Sequence, residues 1–220
     1  MASYIAFMTM TGRIWTWLTV AVVLAGIAIQ SPLSAQNEEG FFSTAPERFF
    51  NVFAYFTIQS NLLLGGTALV LALWPDRPHG PVFNTLRLNG VLCIAVTGIV
   101  YHAVLAGLDD LSGWAWVTNF LLHTVAPVLG VLGWLLFGPR GLTDWGIVGW
   151  SIVYPVLWLV FTLVRGAFVG FYPYPFVNVD EHGYGKVLLN CLLVAVLFLA
   201  LAAGATTLDG RLRRKTTVER

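Results

Sequence analysis

Charge is what this chain has least of. Its 220 residues carry 12 Lys and Arg and 11 Asp and Glu, 10% of the sequence, where a soluble domain averages about 25%. That scarcity excludes a water-soluble fold. Disorder is excluded too, because a disordered chain needs low hydrophobicity. Two cysteines are too few for a disulfide scaffold, and a net charge of +1 excludes the strongly basic character of a nucleic-acid binder. The sequence has no Gly-rich phosphate loop, no heptad pattern and no internal repeat. No two histidines lie at i and i+4, so it implies no cofactor and no metal.

What the chain does have is apolar surface: 57% hydrophobic residues and a mean hydropathy of +0.76. Six runs are long enough to cross a hydrocarbon core of about 30 Å: Ile14–Leu33, Phe49–Leu73, Leu88–Leu108, Trp114–Phe137, Trp145–Val169 and Tyr184–Leu208. They are continuously apolar, not alternating, which argues against a β-barrel. The predicted fold is an all-α integral membrane protein, a single six-helix transmembrane domain over residues 1–220. Trp and Tyr, nine and seven in number, suit interfacial belts.

With the N-terminus inside, Arg13, Arg77, Arg87, Arg140, Arg211, Arg213, Arg214, Lys215 and Arg220 all fall on the inner side. Arg48, Arg165 and Lys186 are left outside. The positive-inside rule then predicts both termini cytoplasmic, and the plasma membrane of a bacterium is the default location. Acids line the outer connections: Glu38, Glu39, Glu47, Asp109, Asp110, Asp180 and Glu181. A competing reading makes the first span a cleaved signal peptide ending near Leu33-Ser34-Ala35, although Arg13 is the only basic residue ahead of it and Leu33 is bulky for a cleavage site. Cys93 and Cys191 differ in expected depth by about 10 Å, too far for a disulfide. The Arg211-Leu-Arg-Arg-Lys215 cluster reads as a topology signal that can also attract anionic lipid.

Polar side chains in hydrocarbon need partners, so their depth is informative. Counted from Phe49, the segment Thr57-Ile58-Gln59-Ser60-Asn61 lies about 12 Å down the second span; counted from Trp114, His123 lies about 13 Å down the fourth, with Asn119 above it. Tyr101 and His102 lie about 9 Å below the outer end of the third. Arg165 and Asn190 complete an outer-leaflet ring, whereas the inner halves are plainer. Thr57 and Asn61 share a helix face, as do Asn119 and His123. Pro127 cannot donate to the carbonyl of His123, and Pro155 cannot donate to that of Ser151, so both helices should bend there.

If those faces meet, nucleophilic acyl transfer becomes possible. Thr57 Oγ1 would attack an ester carbonyl, His123 would take and return the proton, and Asn61 or Asn119 would donate to the oxyanion. A buried histidine without a carboxylate partner stays neutral and can accept that proton. The substrate would be a membrane lipid, a long-chain fatty acyl ester entering laterally. Three other readings compete. His102, His123, Arg165 and the acidic loops suit a small transporter or channel-like protein with an outer polar site. His102, His123 and His182, or Asp109 and Asp110, would be the ligands of a metal-dependent hydrolase. A structural role has Thr57 bonded back to the carbonyl of Ala54 or Phe53, the asparagines tying helices together, Arg165 reaching the headgroups, and Tyr101 and the Phe171-Tyr172-Pro173-Tyr174-Pro175-Phe176 loop in the interfacial belt. The sequence leaves the oligomeric state open.

The residues Tyr55-Phe56-Thr57-Ile58-Gln59-Ser60-Asn61, Asn119-Phe-Leu-Leu-His123-Thr124-Val125-Ala126-Pro127 and Tyr172-Pro-Tyr-Pro175-Phe176 resemble, in order and spacing, the androgen-induced protein family and its bacterial members. The resemblance extends over essentially the whole chain. It implies a multipass hydrolase of fatty acid esters of hydroxy fatty acids, with Thr57 as nucleophile and His123 as its histidine.

Overall fold

The computed structural model describes residues 9–75 and 80–218. Of the cations that orient the chain, Arg77 and Arg220 lie outside the described residues, as do the side chains of Arg214 and Lys215. Every regular element among the described residues is helical. They run α1 (Met10–Gln36), α2 (Ala45–Asn51), α3 (Phe56–Leu73), α4 (Pro81–Val100), α5 (Gly113–Phe120), α6 (Ala126–Phe137), α7 (Trp145–Ser151), α8 (Val153–Val169) and α9 (Val179–Val218). A π turn, Tyr101–Leu105, ends α4, and another, Leu121–Val125, joins α5 to α6. Six helices are long and apolar enough to cross a membrane, which makes this a multipass membrane protein.

The first, fourth and fifth predicted spans match the helical stretches to within four residues, the third begins earlier, at Pro81, and the sixth extends beyond both predicted ends, over Val179–Val218; the second is divided. In place of one helix over Phe49–Leu73 there are three pieces: α2, a 3₁₀ turn at Val52–Ala54, and α3, separated by Tyr55 in an extended conformation. α2 starts on a capping box, in which Thr44 Oγ1 accepts the Glu47 N–H and the Glu47 carboxylate accepts the Thr44 N–H. It stops because the next carbonyls are taken by side chains. Gln59 Nε2 donates to Phe53 O at 2.9 Å and Trp158 Nε1 to Ala54 O at 3.0 Å. The depth counted from Phe49 therefore fails: Thr57 is the second residue of a new helix.

α4 is the axis of the bundle, packing on α3, α6, α7 and α9. Leu88, Leu92, Cys93 and Val96 on α4 meet Trp134, Ile147, Val148, Phe198 and Ala202 in the main core. Hydrocarbon surrounds such a bundle, so helix association rests on close packing and hydrogen bonds instead of escape from water. Gly65 lets α1 approach α3 until an added Cβ would lie 2.8 Å from Val23, and Gly130 does the same for Leu64 at 2.9 Å. Cys93 and Cys191 are free thiols. Near Pro155 the helix is interrupted between α7 and α8 at Ile152, which keeps α-helical dihedrals (φ -68, ψ -28), so the two pieces form one span.

α8 stands off from the rest of the bundle. Its main backbone packing is on α7, and its backbone contacts with α3 and α9 are sparse. Long side chains span the gap instead, with Trp158 reaching Ala54 and the Tyr154 hydroxyl donating to Gln59 Oε1 at 3.0 Å. Gly170, left-handed at φ 73, closes α8. The strap from Phe171 to Asn178 then returns toward α3.

Candidate active site at the break between α2 and α3

The break decides what Thr57 can do. Buried threonines and serines in this protein mostly donate to the carbonyl four residues back, as Thr19 does to Trp15, Ser31 to Ile27, Ser60 to Phe56 and Thr67 to Leu63. Thr57 has no helical carbonyl behind it. The two it would have used, those of Phe53 and Ala54, belong to Gln59 and Trp158. Its hydroxyl is therefore left for tertiary partners, and it has two. Thr57 Oγ1 lies 3.2 Å from His123 Nε2 and 3.0 Å from the Tyr174 hydroxyl.

Proton positions follow from the partners. His123 Nδ1 is 3.1 Å from the backbone oxygen of Asn119. A carbonyl oxygen only accepts, so Nδ1 carries the hydrogen and Nε2 presents its lone pair to Thr57. The Thr57 hydroxyl donates to Nε2. The Tyr174 oxygen accepts the Thr57 backbone N–H at 3.0 Å, and its own hydrogen turns to Thr57 Oγ1. One directed chain runs Tyr174, Thr57, His123, Asn119, with a peptide carbonyl where a triad would have a carboxylate.

Each member is held by neighbours. Tyr101 stacks on the His123 ring with centroids 4.3 Å apart, and the Asn119 amide donates to the Tyr101 hydroxyl. His123 lies in one π turn and Tyr101 in the other. The Leu122 carbonyl, five residues before Pro127, takes Asn61 Nδ2 at 3.2 Å, and the same nitrogen donates to Thr57 O at 2.9 Å. The proline thus acts through a π turn rather than by a simple bend at the His123 carbonyl. Asn61 and Asn119 have their amide donors engaged in this scaffolding and do not face the Thr57 hydroxyl as oxyanion donors.

The rest of the expected ring does not converge. His102 turns away to Thr124 Oγ1 at 3.1 Å. Arg165 donates to Asn51 Oδ1 at 2.8 Å and packs over Phe42 and Phe171, and Asn190 donates to Phe176 O at 2.9 Å. Both hold the strap or its surroundings, not the Thr57–His123 pair. Ser60 bonds within α3. Among the described residues no three His, Cys, Asp or Glu side chains gather as a metal site would require.

Tyr174 is the residue that sequence reasoning passed over as interfacial belt. It is buried among Tyr55, Trp158 and Phe176, and it caps the start of α3, whose own Tyr55 offers no side-chain cap. A signal was there: Pro173 and Pro175 on either side fix an extended strap, and a tyrosine so held is positioned rather than merely amphipathic. Tyr174 lies between the membrane-spanning segments, and burial pushes its hydroxyl up to about 12, so it remains a neutral donor at physiological pH.

Thr57, His123 and Tyr174 form one end of a cavity of about 180 Å³. Its other walls are apolar, from Val96 and Val100 of α4, Ile152, Val156 and Leu159 around α8, and Val194 and Phe198 of α9. One further hydroxyl, that of buried Thr97, also lines it and has no hydrogen-bond partner. No family model, no curated protein and no solved structure matches the chain, so the functional reading stands on this geometry.

Proposed function

We propose that this protein hydrolyses lipid esters within the membrane, with Thr57 as nucleophile and His123 as general base. The observation that carries the reading is the 3.2 Å approach of Thr57 Oγ1 to a His123 nitrogen whose opposite ring nitrogen is tied to a carbonyl. In the first half-reaction Thr57 Oγ1 bonds to the ester carbonyl carbon while its proton passes to Nε2. The tetrahedral intermediate collapses, the carbon–alkoxy bond breaks, and the leaving oxygen takes the proton back from Nε2. In the second, water attacks the acyl-threonine with its proton going to Nε2, and the fatty acid leaves as Thr57 regains its hydrogen.

The developing oxyanion has two donors at hand, the Thr57 backbone N–H at the positive end of α3 and the Tyr174 hydroxyl. At rest these two bond to each other, so substrate binding exchanges that bond for two to the carbonyl oxygen. The same pair is what the resemblance to the androgen-induced proteins implies. With the termini on the cytoplasmic side, as the basic residues argue, the pair lies on the outer-leaflet side of the bundle.

The test is labelling with a fluorophosphonate probe alongside hydrolysis of long-chain acyl esters in detergent or nanodiscs. The wild type is expected to label and turn over, and Thr57→Ala to do neither. Full labelling and activity in Thr57→Ala would end the proposal.

A further inference from the structure

The cavity behind Thr57 has a shape that specifies its occupant. On α9 its lining runs from Cys191 to Leu199 and on the α8 side from Leu159 back to Ile152, about 12 Å along the helix axes at 1.5 Å per residue. Its hydroxyl and imidazole side chains are Thr57, His123 and Tyr174, which touch one another, and Thr97 on the α4 wall; the Trp158 indole and the Cys191 thiol also line it, and the rest is apolar. The flank opposite α4 is open because α8 is propped away by Trp158 and Tyr154. Along that flank Val156 and Leu199 are about half exposed, at 50% and 46%, and Ala195 is exposed as well. In a bilayer these residues face hydrocarbon.

We infer that the gap between α8 and α9 is a lateral slot for a single acyl chain, whose ester group lies at Thr57 and whose tail points toward the middle of the bilayer. This rests on the hydrolase reading and adds the mode of entry and the leaflet of origin. A chain in the slot lies parallel to the chains of the leaflet on the Thr57 side. A lipid of that leaflet enters by sideways translation, with its carbonyl at its normal level; one from the opposite leaflet would have to invert. With a volume of about 180 Å³ the slot is assigned one chain, and a second chain on the same lipid stays outside the rim formed by Val156, Ala195 and Leu199. Selectivity for chain length then belongs to the rim and floor of the slot, not to the catalytic residues.

The experiment is a chain-length series of p-nitrophenyl acyl esters, from butanoyl to octadecanoyl, on the full-length protein in nanodiscs. Ala195→Trp and Val156→Trp place an indole across the slot at positions that already face lipid and tolerate bulk. Leu192→Trp, on α9 but outside the slot and 59% exposed, is the control. The ratio of kcat/KM for hexadecanoyl over butanoyl ester is expected to fall about tenfold or more in each slot variant and to stay unchanged in the control. Active variants with the wild-type ratio overturn the slot while leaving Thr57 and His123 intact. If the wild type hydrolyses no ester, the hydrolase reading fails, and the slot is judged by photolabelling with a diazirine-bearing hexadecanoic acid. Label on residues 152–159 and 191–199 that Ala195→Trp removes supports it; label elsewhere, or unaffected by the variant, overturns it.

Discussion

At the residue scale, Tyr174 carries two duties through one oxygen: it caps α3 and touches the reactive hydroxyl. Tyr174→Phe removes both bonds while retaining the ring packed against Tyr55 and Trp158. Loss of one oxyanion donor costs about 10²–10³ in kcat, so the expected outcome is a kcat lower by that order, with fluorophosphonate labelling slowed but not abolished. Asn61 differs, because its amide holds carbonyls on two helices and touches no substrate. Asn61→Leu takes the side-chain donor from the Leu122 oxygen and is expected to lower stability by about 1 kcal/mol, read as a reduced Tm in detergent. The polar run Gln59-Ser60-Asn61, conspicuous in the sequence, is explained without chemistry: the three side chains serve Phe53, Phe56, and Thr57 with Leu122, respectively. Thr57 and His123 were legible from their level in the membrane and their type. Tyr174 was not, since its partner lies 117 residues away and the flanking prolines say that it is held without saying against what.

Irregular elements build the site, and they were the hardest part to read. Hydropathy found the six spans because twenty apolar residues in a row leave little choice. It could not find the break at Tyr55, because residues 49–73 hold no charge and no proline and the carbonyls at the break are taken by Gln59 and by Trp158 from a distant helix. The depth argument thus paired two side chains that do lie together, but through a wrong premise, a single continuous helix. The π turns were half visible: Pro127 announced a fault beside His123, but not its form. Close packing fixes that form. Gly98 faces Pro127 so tightly that an added Cβ would lie 2.9 Å from the proline Cβ and 3.2 Å from Cγ, and the rigid ring cannot turn aside. Gly98→Ala should push the Leu121–Val125 turn away from α4 and carry His123 with it. A displacement of about 1 Å costs about 10²-fold in rate, so kcat should drop by that order, while overpacking costs about 1–3 kcal/mol. Steady-state kinetics beside thermal unfolding separate the two effects.

For the whole molecule, the asymmetry of charge predicts the orientation. In a background with Cys93 and Cys191 replaced by alanine, Asp110→Cys in the exposed connection after α4 should react with an impermeant maleimide added to intact cells. Arg211→Cys, exposed near the far end of α9, should react only after permeabilisation. The reverse pattern would invert the protein and place the site on the cytoplasmic side. The division of labour among helices follows the burial: α3 and α4 are the most enclosed and bear Thr57 and Tyr101, whereas α8 and α9 are the most lipid-facing and wall the cavity.

The cap on α3 also bears on how the protein is made. A chain emerging from the ribosome inserts Thr57 long before the strap that carries Tyr174, a lag on the order of ten seconds at ordinary synthesis rates. Until the strap docks, the Thr57 amide at the start of α3 lacks its acceptor and the Thr57 hydroxyl lacks one of its two neighbours. The mouth of α3 is therefore sealed only at the close of translation, by a segment made more than a hundred residues after the helix it completes.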